Sequence, residues 1–325
     1  MDPLPSWKDG AAKSGILDFV ARVCAQGGSD FIAPAERIAV FDNDGTLWCE
    51  YPLQVQVFFA LAEVKRLTQQ DPSLLEKPAF KAMIDGDVKT LMSLPKKDVF
   101  EPAFATHAGM TVEEFHANAW RWLRQAEHPK LRRPFLHNTY APQRELLDHL
   151  RANGFKTYIV TGGGIEFVRV VAQQLYGIPP EQVVGSSTKM KLEDGPGGMV
   201  LRKLPELGSF DDRDEKVVNI ALHIGRRPVF AFGNSDGDLA MIRYTLGGTG
   251  PRMAWLLHHD DATREFAYDR DFRLSALRDG LDRAAELGIG VVSMQRDWNR
   301  VFADGDETPT EAVLERDGRQ PRACR

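Results

Sequence analysis

The segment Phe41-Asp42-Asn43-Asp44-Gly45-Thr46-Leu47 constrains this chain most. It follows Ile38-Ala39-Val40-Phe41, a short apolar run rich in strand formers, which reads as a buried strand. Two acids one residue apart stand where that strand ends, and a Gly-Thr turn follows. Such an end is where α/β sheets collect their ligands. Two carboxylates held together there repel one another, so they need a cation or a shared proton. The pattern predicts an α/β core with a charged site at the mouth of its first strand.

Further apolar runs each end in residues that can bind or react. Tyr158-Ile159-Val160 leads into Thr161 and the triple glycine Gly162-Gly163-Gly164. Asp214-Glu215-Lys216-Val217-Val218 sets a lysine at the start of a helical period. Val229-Phe230-Ala231-Phe232 runs into Gly233-Asn234-Ser235-Asp236-Gly237-Asp238. Taken in order, these four segments resemble the four motifs of the haloacid dehalogenase superfamily, in its phosphoserine phosphatase-like branch. The resemblance spans Phe41 to Asp238.

That resemblance implies a Mg²⁺-dependent phosphomonoester hydrolase acting on a small phosphorylated metabolite through an aspartyl phosphate. Asp42 would be the nucleophile and Asp44 the general acid. Thr161 and the backbone N–H of Gly162 would bind the phosphoryl group, and Lys216 would hold it and balance the charge of Asp42. Asp42, Asp44, Asn234 and Asp238 would surround the metal. The family usually has an aspartate where this chain has Asn234, so weaker metal binding is expected, with Asp236 as a rival ligand. A superfamily phosphotransferase, or a non-catalytic homologue that binds phosphate ligands, is the alternative. A dehalogenase is disfavoured, because those enzymes lack the second aspartate of the first motif.

The rest of the chain predicts a doubly wound, parallel, Rossmann-like sheet with an inserted all-helical cap domain. Residues 1–50 and 139–303 form the expected core, 51–138 the cap, and 304–325 a polar, disordered tail. Residues before Lys13 read as a frayed arm. Ser14 to Gln26 reads as an amphipathic helix with Ile16, Phe19, Val20 and Val23 on one stripe. Between Tyr51 and Tyr140 helical periods dominate. Pro52 opens a helix, and Thr111-Val112-Glu113-Glu114 forms a capping box for another. Helices also fit Arg144–Ala152 and Leu274–Leu287. Strands fit Val183–Gly185, Met253–Leu257 and Gly290–Ser293, with a hairpin around Asp194.

Substrate choice would fall to the cap and to Trp48, Glu50 and Tyr51. In the phosphoserine phosphatase branch an acid close to the position of Glu50 meets the substrate amino group. Arg121, Arg124, Arg132 and Arg133 are candidates for a substrate carboxylate, though each reads more readily as an exposed cap residue. His258-His259-Asp260-Asp261 reads as a loop and helix start, without a second ligand group at zinc-like spacing.

Charge and composition narrow the class further. A net charge of −5 argues against nucleic-acid or membrane-surface binding. No apolar run reaches a membrane-spanning length, and the amino terminus has no signal-peptide core. Three scattered cysteines, Cys24, Cys49 and Cys324, fit a reducing cytoplasm.

Overall fold

The computed structural model describes residues 2–303, so the expected tail lies outside the described residues. Eight strands form one sheet: β1 (Ile38–Phe41), β2 (Lys156–Gly164), β3 (Val183–Gly195), β4 (Gly198–Ser209), β5 (Phe230–Gly233), β6 (Met253–Asp260), β7 (Ala267–Tyr268) and β8 (Gly290–Ser293). Their order is β4-β3-β2-β1-β5-β6-β7, with β8 also paired to β6. The central pairs are parallel, and only β3–β4 and β6–β7 run antiparallel.

This is the doubly wound α/β sheet expected from the sequence. The chain winds outward from β1 through β2 and β3, then crosses to β5 on the other side of β1. The reversal places a crevice at the carboxyl end of β1, where open α/β sheets bind ligands.

Each face of the sheet has its own core. Ala39 and Phe41 join one apolar cluster, while Ile38 and Val40 join the other. Alternate side chains of one strand point to opposite faces, so a continuous apolar run is what a strand covered on both sides requires. Phe41 packs between Phe230 and Phe232, with ring centroids at 5.7 and 6.1 Å. Helix Ala11–Cys24 covers this aromatic face with its predicted stripe of Ile16, Phe19, Val20 and Val23, all buried.

The amino-terminal arm is not frayed. Leu4 and Trp7 are buried, Trp7 packs edge-on against Trp298, and its indole N–H donates to the Pro142 carbonyl at 2.9 Å. Lys13 is also buried and pairs with Asp2 and Asp9. A short polar segment carried no periodic signal, but its two large apolar side chains found partners distant in sequence.

Between β1 and β2, helices Val55–Gln70, Pro78–Asp85, Val88–Ser93, Lys96–Ala105 and Val112–Gln125 follow one another without a strand among the described residues. The helix assigned to Pro52 begins later, at Val55. The Thr111 capping box forms in both directions. Phe59 anchors the group to the core through Phe115, Trp122 and Phe167, at centroid distances of 5.4–5.9 Å. The hairpin β3–β4 meets the same helices from the other side. There Gly109 N–H donates to the Lys203 carbonyl at 3.0 Å, and Lys203 N–H to the Met110 carbonyl at 2.9 Å.

Candidate active site

Three side chains, Asp42, Lys216 and Asp238, meet at the carboxyl ends of β1, β2 and β5. Asp42 directly follows β1, and its N–H bonds the Phe232 carbonyl of β5 at 2.9 Å. Lys216 reaches the same point from helix Asp214–Asn219. Its buried ammonium donates to Asp42 Oδ1 at 2.7 Å, Asp238 Oδ1 at 2.6 Å and the Val160 carbonyl at 2.9 Å. All three of its N–H groups are therefore used. Lysines at helix starts usually face solvent; here the helix lies on the sheet and points this one inward.

Asp238 spends its second oxygen on the loop that carries it, accepting from the N–H groups of Asn234 and Ser235 at 3.0 Å each. It braces the turn after β5 and orients Lys216. Asp236 turns away from the site. Its oxygens accept from the N–H groups of Arg278, Asp279 and Gly280 at 2.9–3.2 Å. These belong to the first turn of helix Asp279–Leu287, whose free N–H groups and dipole favour a carboxylate. Both Asp236 oxygens are therefore directed to this helix start and not to Asp42. The helix expected from Leu274 begins only at Asp279.

Asn234 is buried, and its Oδ1 accepts one hydrogen bond and keeps a second lone pair. Its Nδ2 donates to Glu50 Oε1 at 2.7 Å, and its Oδ1 accepts from the Thr46 hydroxyl at 3.1 Å. Glu50 is wholly buried and also accepts from the hydroxyls of Tyr268, at 3.1 Å, and Ser275. Protein donors thus already reach both oxygens of Glu50, the residue that the sequence set against a substrate amino group, and it still lines the cavity that opens above Asp42. The turn between these groups has no room for a side chain. Gly45 adopts φ +75, and a Cβ there would lie 2.1 Å from Asn234 Nδ2.

Asp44 accepts from the Trp48 indole N–H at 2.8 Å. Burial pushes its pKa from the ordinary 3.8 up to about 6, and that of Asp42 to about 8, although Lys216 opposes both rises. Burial also raises Glu50 well above its usual range. The site therefore gathers more buried carboxyls than one ammonium can keep ionised. Among the described residues, no three His, Cys, Asp or Glu side chains are grouped as a metal cage. Two aspartates beside one amide oxygen still form a hard oxygen donor set with charge to spare, which suits a small divalent cation that keeps several waters.

Thr161 lies inside β2, not in a turn after it. The strand continues to Gly164, with a register shift against β3 between Thr161 and Gly164. The Thr161 oxygen accepts from Gly163 N–H at 3.0 Å, which leaves the hydroxyl hydrogen free to donate. Gly164 N–H donates to Gln56 Oε1 at 2.6 Å, tying helix Val55–Gln70 to the strand. A Cβ at Gly164 would stand 2.6 Å from Gln56 Nε2, so the third glycine gives this contact its room.

A cavity of about 520 Å³ opens above Asp42, Asp44, Thr161 and Lys216. The helices after β1 and the hairpin β3–β4 wall it. Arg121, Arg124, Arg132 and Arg133 are not among its described lining residues. His258, His259 and Asp260 belong to β6, correcting the loop reading. His259 Nε2 lies 2.8 Å from the Gly45 carbonyl, and its Nδ1 lies 3.2 Å from Glu265. It thereby props the acidic turn from below. Asp261 does cap the turn that follows, accepting from the N–H groups of Thr263 and Arg264. Sequence reasoning missed Gln56, Tyr268 and Ser275, which carry no local pattern and enter only through long-range packing. Cys24 and Cys49 are free thiols, and burial raises the Cys49 pKa well above its usual value.

A family model described as haloacid dehalogenase-like hydrolase matches residues 39–243, more than half of the chain. Solved structures share the fold. A conserved protein of unknown function from Anaerococcus prevotii DSM 20548 aligns at 16% identity over 87% of this chain and 91% of its own, with a TM-score of 0.54. A protein of unknown function from Bordetella pertussis Tohama I aligns at 15% identity over 79% of this chain and 98% of its own, with a TM-score of 0.52. None of the curated proteins matches the chain.

Proposed function

The chain belongs to the haloacid dehalogenase-like hydrolases, and on that premise we propose that it is a Mg²⁺-dependent phosphomonoester hydrolase working through an aspartyl phosphate on Asp42. The observation that carries this reading is the Asp42–Lys216 contact of 2.7 Å at the carboxyl end of β1, with Asp44 one residue further on. Lys216 fixes one carboxylate oxygen and leaves the other to attack.

In the first step that oxygen bonds to phosphorus as the ester P–O bond breaks. The electron pair leaves on the alkoxide, which takes the proton of Asp44. A carboxyl whose pKa stands at about 6 is suited to giving and then retaking a proton near neutrality. In the second step Asp44 takes a proton from water. The water oxygen bonds to phosphorus, and the Asp42 O–P bond breaks to release phosphate. Thr161 O–H and Gly162 N–H donate to the phosphoryl oxygens throughout. Lys216 keeps the nucleophile oriented and offsets the charge gathering on the transferred group.

Asp42, the Asp44 backbone carbonyl and Asn234 Oδ1 would hold Mg²⁺, with Asp238 acting through Lys216 and the loop. When bound, the ion neutralises charge on the phosphate and on the buried acids. The helices between β1 and β2 act as a cap over a discontinuous core made of residues 1–50 and 139–303, and they exclude water from the cavity. The substrate is a small phosphorylated molecule. Among the described residues no helix is long and apolar enough to cross a membrane, and we place the enzyme in the cytoplasm.

The test is phosphate release from a panel of small esters with and without Mg²⁺, beside Asp42→Asn. That substitution keeps shape and an acceptor for Lys216 but removes the nucleophile. It should lower turnover by about 10³-fold or more while the circular dichroism spectrum stays unchanged. Substantial residual turnover would transfer the nucleophile's role to another residue.

A further inference from the structure

The cavity changes character sharply above its floor. Below are Asp42, Asp44, Lys216 and Asp238; above, the walls carry Val57, Met83, Phe104 and Phe115. The apolar lining continues to the rim, where Leu207, Phe210 and Leu274 stand 42%, 50% and 51% exposed. Large apolar side chains left in water around an opening are unusual unless something apolar covers them.

Basic groups are scarce here. Among the described lining residues, Lys216 is the one lysine or arginine, and its three N–H groups are already used. His107 lines the wall, but burial lowers its pKa to about 4, so it is neutral at pH 7. Other charges stand at the margins of the cavity: Asp212 lies 3.8 Å from the exposed Arg213, and Lys203 sits behind the wall with its ammonium 4.9 Å from the Phe115 ring centre. Neutral hydroxyls and amides, such as Ser187, Thr188 and Gln54, complete the lining. A substrate carboxylate would lose water here without an available cation among the described lining residues, and would face acids below it.

We propose that the cavity selects phosphate monoesters whose alcohol is uncharged and presents an apolar ring or short apolar chain, and that it rejects esters carrying a carboxylate, phosphoserine among them. This rests on the hydrolase reading above and narrows its substrate class. The cavity size suits a phosphate together with a one- or two-ring group.

Two matched esters isolate the charge. These are 2-phenylethyl phosphate and its para-carboxylate derivative, which share a primary-alcohol leaving group. The expected ratio of kcat/KM is roughly 30-fold or more in favour of the uncharged ester. Phe210→Arg, at an exposed rim position that does not threaten folding, should narrow that ratio by about 10-fold. The two corresponding non-hydrolysable phosphonates are titrated into the full chain with Mg²⁺ by calorimetry. Equal kcat/KM for both esters, or a preference for the carboxylate, overturns the inference and leaves the hydrolase reading standing. No phosphate from either ester, with the uncharged phosphonate still bound more tightly, sinks the hydrolase reading while the selectivity stands. No binding of the uncharged phosphonate overturns the inference outright.

Discussion

Asn234→Asp places a second carboxylate against Glu50, and this structure predicts that it destabilises the metal-free protein. The Asn234 amide donates to Glu50 Oε1 at 2.7 Å, and an aspartate there can donate only if it keeps a proton. Two full charges at 2.7 Å would repel by roughly 6 kcal/mol at an effective dielectric constant of about 20. The pair escapes most of that by sharing one proton, as close carboxylates do. What remains is the lost amide hydrogen bond and the cost of burying a further carboxyl beside Glu50, together about 2–3 kcal/mol. Urea unfolding at pH 7 in excess chelator measures it. Glu50→Gln in the same chain supplies a new donor to the aspartate, so the double variant should recover roughly 2 kcal/mol in a double-mutant cycle. Saturating Mg²⁺ should shrink the penalty of the single variant, because a cation then serves the added carboxylate. The reasoning is refuted if Asn234→Asp unfolds within about 0.5 kcal/mol of the parent without metal, or if Glu50→Gln gives no recovery.

Other expectations follow from the same geometry. Lys216→Ala leaves Asp42 and Asp238 without their buried partner and should cost about 3–5 kcal/mol of stability along with activity, read by urea unfolding and phosphate release. Burial raises Asp44 from 3.8 to about 6 and Asp42 to about 8, so the folded state binds protons that the unfolded chain releases. That stability is fully present below about pH 4 and is lost as pH rises through 6 and then 8; the Asp44 share alone is roughly 3 kcal/mol. Metal-free protein should therefore show a falling urea midpoint from pH 6 to 8, and Mg²⁺ should restore more of it at pH 8 than at pH 6. A midpoint that rises over this range would contradict the assigned directions. Trp7→Ala should cost about 3–5 kcal/mol, because Trp7 is buried and hydrogen-bonded to Pro142; an unchanged midpoint would return the arm to a frayed segment.

The sequence alone indicated a doubly wound parallel sheet and most of its strands, while their order across the sheet came from the structure. Ile38–Phe41 could be read because a strand covered on both faces needs an unbroken apolar run, and such a run is local. The Thr111 box, the stripe on Ala11–Cys24 and the hairpin around Asp194 are local in the same sense, since each is set by residues a few positions apart. The acids after β1 were likewise visible from the strand that ends before them. What only the tertiary structure decided is which group touches which. Lys216 and Asp42 are 174 residues apart, and Asn234 and Glu50 are 184 apart. The turn of Asp236 toward a helix start, the burial of Glu50, the tethering of the arm by Trp7 and the apolar rim of the cavity are all contacts of this kind. No short window of sequence carries them, because they exist only once the sheet has brought distant segments together at the end of β1.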